Sequence, residues 1–212
     1  MTPNEQSRLQ PSTEFSGDQL LGLLIEAAGK GNLSLVTDLL AKGAAVNGGF
    51  SDGYTPLMAA AHSGQAQVVT ALLDQGAAPD QGERQGMTAL MFAAEDGSVE
   101  AVRALVEGGA TINYQVQDEF SPFSGWTALL FATDNGHLPT VTYLISQGAS
   151  VDLCDSEGET ALMKAAALGH VALVECLVKA GSTVSLANEN GDTALTLAEE
   201  MGHRKIIGLL KH

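Results

Sequence analysis

The stretch "DGYTPLMAAAHSG", residues 52–64, decides how this chain folds, because close relatives of it return four more times. They are "QGMTALMFAAEDG" from Gln85, "SGWTALLFATDNG" from Ser124, "EGETALMKAAALG" from Glu157 and "NGDTALTLAEEMG" from Asn190. The opening glycines, Gly53, Gly86, Gly125, Gly158 and Gly191, are spaced 33, 39, 33 and 33 residues apart. A second set, Gly43, Gly76, Gly109, Gly148 and Gly181, keeps the same beat with the same single lengthening. A stretch copied five times is a building unit, and self-similarity at this period marks a stacked-repeat architecture.

The chemistry within one unit is legible. Gly53 can take the positive φ of a tight turn, Thr55 can cap a helix with its hydroxyl, and Pro56 falls at the first helical position, where a missing N–H costs nothing. That first helix is short, about two turns, and ends near Gly64. In "QAQVVTALLDQG", Val68, Val69, Leu72 and Leu73 then form one apolar stripe at helical spacing, and Gly76 can close the second helix in the left-handed conformation. One helix pair cannot bury its own stripe, so neighbouring pairs must stack.

The composition agrees. Of 212 residues 45% are hydrophobic but only 5% aromatic, which suits short, closely packed helices around a thin, extended core. Ten basic residues against twenty-five acidic ones give a net charge of −15, which repels nucleic-acid phosphates, so DNA and RNA are not expected ligands. The longest apolar runs, such as "LLGLLI" at residues 20–25, fall far short of a membrane span, and no targeting segment follows the polar start. The expectation is a cytoplasmic monomer, with Cys154 and Cys176 as free thiols.

These features resemble the ankyrin-repeat family, whose unit has this length, a "G-x-T-P-L-H-x-A-A-x-x-G-H" opening and a later "G-A-x-V-N" segment. The matching stretches are "GYTPLMAAAHSG" at 53–64, "GHVALVECLVKAGSTV" at 169–184 and "KGAAVN" at 42–47. The resemblance implies an all-α repeat solenoid of about six stacked helix-turn-helix units with β-turn or hairpin connections. Residues 1–17 read as a disordered tail. The repeat domain, 18–212, divides into an N-terminal cap at about 18–52, units at 53–85, 86–124, 125–157 and 158–190, and a C-terminal cap at 191–212. The family's histidine after "TPL" is replaced by Met58, Met91, Leu130, Met163 and Thr196, so the hydrogen bonds it would make are expected to be absent.

No catalytic, cofactor or metal site is expected. His137, His170 and His203 recur at 33-residue spacing, but equivalent positions in stacked units lie about 10 Å apart, too far for ligands that must converge on one zinc ion. They read as structural residues at helix starts. Acidic pairs such as Glu95 with Asp96 have no nucleophile beside them, and no phosphate or dinucleotide fingerprint is present. Met58, Met91 and Met163 share a repeat position that suits packing.

Function must then lie where the copies differ. The resemblance implies that the turn around each opening glycine and the exposed end of each first helix line a concave groove. By position this selects Asp52, Tyr54 and His62, then Arg84, Met87, Glu95 and Asp96, then Phe123, Trp126, Asp134 and Asn135, then Glu157, Glu159 and Leu168. The six extra residues sit within "YQVQDEFSPFS", residues 114–124, adding Phe120. Between Ala104 and Met163 there are eight acids and no Lys or Arg. An acidic groove with aromatic anchors fits a partner protein bearing a basic and apolar segment. Two plainer readings stay open: the charge serves solubility, and Trp126 packs within its own loop. The expected function is a non-catalytic protein-interaction module. The alternative in the same class is an inhibitor masking a kinase or transcription factor, and the alternative in another class is an enzyme or metal protein on a repeat scaffold.

Overall fold

The computed structural model describes residues 15–211, in which the regular elements are twelve helices. They are α1 (Gly17–Gly29), α2 (Leu33–Ala41), α3 (Pro56–His62), α4 (Ala66–Asp74), α5 (Ala89–Glu95), α6 (Val99–Glu107), α7 (Ala128–Asp134), α8 (Leu138–Ser146), α9 (Ala161–Ala167), α10 (Val171–Lys179), α11 (Ala194–Glu200) and α12 (Arg204–Leu210). The expected disordered tail falls mostly outside the described residues. Ser16 caps α1, accepting from the Gln19 N–H while the Gln19 side chain returns the bond.

Odd-numbered helices stack on one another in an inner layer, and even-numbered helices stack in an outer one. The fold is the all-α solenoid of six helix pairs that the period demanded. Its core runs the length of the rod without interruption, and alanine dominates it on the inner layer: Ala59, Ala60, Ala61, Ala93, Ala94, Ala132, Ala165, Ala166 and Ala198 are all buried. Small side chains let the short inner helices approach closely, while Val69, Leu72, Val102, Leu105, Val141, Leu144, Val174 and Leu177 fill the space beneath the outer layer.

Four of the threonine-led inner helices start as the sequence dictates, while Thr88 before α5 makes no side-chain cap bond. Thr55, Thr127, Thr160 and Thr193 accept the N–H three residues on, at 3.2–3.3 Å. The loss of the family's histidine is partly compensated here. Thr55 donates its N–H to Met58 Sδ at 3.4 Å, and Thr193 donates its N–H to Thr196 Oγ1 at 2.7 Å.

Three devices register one unit against the next. The residue closing each "G-A-x-V-N"-type segment clamps the following unit, and its chemistry alternates. Asn47 accepts the Ala78 N–H and donates to the Gly76 carbonyl; Asn113 does the same with Ser150 and Gly148. Asp80 accepts both the N–H and the hydroxyl of Thr111, and Asp152 both those of Thr183. Histidines opening the outer helices reach back to the preceding unit, with His137 Nε2 2.8 Å from the Glu95 carbonyl and His203 Nε2 3.0 Å from that of Ala167. That approach needs a glycine beneath the ring. Gly97 has φ +75°, and a Cβ there would lie 2.5 Å from the His137 ring. The third device is in the connecting turns.

Candidate functional site

The five entrance turns project as a row of tips along one edge of the inner layer. Four close alike, with the first residue donating its N–H to the carbonyl four residues on: Phe50 to Tyr54, Glu83 to Met87, Asp155 to Glu159 and Asn188 to Asp192. In the remaining turn Val116 donates to Trp126, ten residues on. The insertion is thereby localised to residues 117–122, within the longer stretch that sequence spacing delimits.

The tips also bond to each other. Arg84 donates its N–H to the Asp52 carbonyl at 2.6 Å, Ser156 to Ser124 at 3.0 Å and Glu189 to Glu157 at 2.9 Å. Where the insertion displaces the equivalent N–H, the Ser121 hydroxyl donates to the Gln85 carbonyl at 2.7 Å. Val116 at the base of the insertion is buried against Gly86. The insertion is thus built into the rod rather than hanging from it.

Behind the tips, the fourth residue of each inner helix lies toward the residue that follows an entrance glycine, and two clusters result. In the first, Tyr54 meets the Phe92 ring edge-on at 5.4 Å, and His62 lies 5.5 Å from the same ring and 3.9 Å from Asp96. Burial, reinforced by the Asp96 and Asp52 charges, pushes the Tyr54 hydroxyl above the ordinary tyrosine pKa. Burial likewise holds the Glu95 carboxyl above the usual carboxylate range, with His62 opposing and Asp96 adding to the effect.

In the second cluster, Phe123, Trp126 and Phe131 pack with ring centroids 4.7–5.8 Å apart, and the Lys164 ammonium sits over Trp126 at 4.3 Å. Lys164 is 8% exposed and bonds Asp155 and Glu159, each at 2.9 Å. Burial opposes its charge, but the hydrogen bonds and charges of the two carboxylates outweigh that and raise its pKa.

The sequence-selected residues therefore divide. Asp52, Arg84, Asp96, Asp134, Asn135 and Glu157 are exposed, Leu168 is 49% exposed, and Phe120 is 87% exposed. Tyr54, Glu95, Phe123, Trp126 and Glu159 are half-buried and His62 is exposed beside Phe92. Met87 is a correction: at 3% exposure it belongs to the core, unlike Tyr54 at the same repeat position. Sequence reasoning missed Phe92, Phe131 and Lys164, which share the fourth helical position with Ala59 and Leu197; the variation at that one position was the available signal. It also missed Met201, 60% exposed, one repeat beyond Leu168.

Cys154 and Cys176 are free thiols. Among the described residues no three His, Cys, Asp or Glu side chains converge on a point, and no helix is long and apolar enough to cross a membrane.

A family model described as ankyrin repeats (3 copies) matches residues 24–118, 85–155, 113–188 and 129–212. No curated protein matches the sequence. Among solved structures, an ankyrin repeat domain from Acinetobacter baumannii AYE superposes with a TM-score of 0.78 at 28% identity, over 89% of this chain and 95% of that one. A chain from the complex of a predatory endopeptidase of Bdellovibrio bacteriovorus with an immunity protein gives 0.78 at 30% identity, over 89% and 96%.

Proposed function

The chain belongs to the ankyrin-repeat family, and from that premise we propose that it is a non-catalytic module holding a basic and apolar segment of one partner protein against its tips and inner-helix ends. The observation that carries this reading is the order of side chains along that surface. Acids run along its whole length, from Asp52 through Glu95, Asp96 and Asp134 to the exposed Glu157 and Glu189; of these only Asp96 has an ion-pair partner within 4 Å among the described residues, the exposed His62. Toward the C-terminal half, Leu168 and Met201 present apolar side chains at consecutive repeat positions. A segment with Lys or Arg along its length and apolar residues toward one end matches both, its charges speeding encounter and its apolar end slowing release.

Tyr54 is the aromatic contact of this surface. The groove comes pre-organised, since the partner does not have to order the stacked units on binding. The test is direct: Asp52→Asn, Glu95→Gln and Asp96→Asn together should slow association with a captured partner about tenfold or more at low salt, with circular dichroism unchanged. Equal association rates for the folded triple variant would overturn the electrostatic part of the reading.

A second reading, masking of an enzyme, draws support from the likeness to a chain of an endopeptidase–immunity protein complex. It requires that the captured partner be an enzyme and that stoichiometric addition of this protein abolish its turnover. Undiminished turnover in the saturated complex would leave scaffolding as the function.

A further inference from the structure

Resting on the protein-binding reading, we infer that residues 117–122 form a rigid finger whose Phe120 enters an apolar pocket, rimmed by Lys or Arg, on the partner protein, while Trp126 serves as a positioning residue beneath it. Among the described residues Phe120 is the most exposed of the large hydrophobic side chains, at 87%. An exposed phenyl ring on a floppy loop would fold down onto nearby apolar surface, and here the backbone prevents it. Asp118 Oδ1 accepts the Phe120 N–H at 3.0 Å, and the Ser121 N–H donates to the Asp118 carbonyl at 3.0 Å. The Ser121 hydroxyl fastens the loop to the Gln85 carbonyl while accepting the Phe123 N–H at 3.1 Å. The ring is held outward before any partner arrives, so little freedom remains to be lost on docking.

The base of the finger is equally fixed. Phe123 packs on Trp126 and Phe131, and the Lys164 ammonium sits over the Trp126 ring, pinned in turn by Asp155 and Glu159. This arrangement employs Trp126 in supporting the loop, and leaves Phe120 as the group free to make contact. The chemistry of the pocket follows from the flanks. Asp118 and Glu119 are exposed beside Phe120; Arg103 lies over the Tyr143 ring, Lys164 is engaged by Asp155 and Glu159, and Arg84, which adjoins the Gln85 carbonyl that Ser121 bonds, reaches the other way to the Ser51 carbonyl at 3.4 Å. A second copy of this chain, with net charge −15, is a poor occupant; a basic-rimmed pocket is a good one.

The experiment places the photo-crosslinking residue p-benzoylphenylalanine at position 120, and separately at position 62, in the full chain inside the cells that make it. Crosslinked peptides are mapped, and the captured protein is purified and titrated against variants. The inference expects position 120 to label an apolar site with Lys or Arg around it. It expects Phe120→Ala to weaken binding about tenfold or more with an unchanged melting temperature, and Phe120→Leu to restore most of that loss. Trp126→Ala should weaken binding when Phe120 is present and have no further effect in the Phe120→Ala background, a coupling that general destabilisation would not produce. Labelling from position 62 alone, labelling only of a second copy, or Phe120→Ala binding within about twofold overturns the finger while leaving the groove standing. Labelling from neither position overturns both readings together.

Discussion

Lys164 shows how much one side chain can carry in a thin core. It is a buried cation whose carboxylate partner Asp155 is itself only 5% exposed at the side chain, so removing one member strands the other. Lys164→Met is expected to destabilise the protein by about 3–5 kcal/mol in urea unfolding, and adding Asp155→Asn and Glu159→Gln should recover much of the loss. A loss below about 1 kcal/mol for the single variant would mean the pair is solvated. Because the partners raise the Lys164 pKa above its ordinary 10.5, the stabilisation is complete below that value and disappears as pH climbs through the raised one. Gly97 fails differently: Ala there meets both a left-handed backbone and the His137 ring, so Gly97→Ala should lower stability by about 1–3 kcal/mol, as read by the melting temperature. Of these two residues, Gly97 was legible as part of the repeat, whereas the role of Lys164 was not. Asp155 and Glu159 precede it by nine and five residues, in a turn whose closure only the fold reveals.

At the scale of the element, the entrance turn illustrates what periodicity can and cannot show. Its threonine cap, its proline at the first helical position and its left-handed glycine are local chemistry, and they read correctly from the sequence. The exposure of the residue after the glycine is not local. Tyr54 leans on Phe92 of the next unit and stays half-exposed, while Met87, at the same position, is swallowed by the core. The inserted turn keeps the closing bond of its simpler relatives, with Val116 and Trp126 in the roles of Glu83 and Met87. Deleting residues 117–122 should therefore leave a folded rod with a four-residue turn, in which the Phe123 N–H takes over the Gln85 carbonyl from the Ser121 hydroxyl. Helical circular dichroism within a few per cent of the parent and a cooperative melt would bear this out; aggregation or loss of cooperativity would show that the insertion is needed to seal the seam.

For the whole molecule, the net charge of −15 sets how binding must respond to solution conditions. Burial raises the Glu95 pKa above the ordinary carboxylate value, and a basic group of the partner beside it favours the ionised form. Binding at pH values near that raised pKa is then coupled to proton release. Affinity is complete above the raised Glu95 pKa and falls as pH drops through it, so titrations at about pH 7 and about pH 5 should show weaker binding at the lower pH, with Glu95→Gln removing much of the difference. Raising salt should weaken association at either pH, and an association rate indifferent to salt would count against an electrostatic groove. The alternation of the inter-unit clamps bears on something else, the modularity of the array. An Asn-bearing unit offers a donor to a carbonyl, and an Asp-bearing unit needs a successor with a hydroxyl, as Thr111 and Thr183 supply. Units of this rod are therefore not freely interchangeable letters: the Asn clamps bond only backbone and accept any successor, whereas an Asp clamp set before a unit that carries Ala78 loses its hydroxyl bond. An Asp-bearing unit is best moved together with the Thr-bearing unit that follows it, and the safest portable piece of the protein is a doublet.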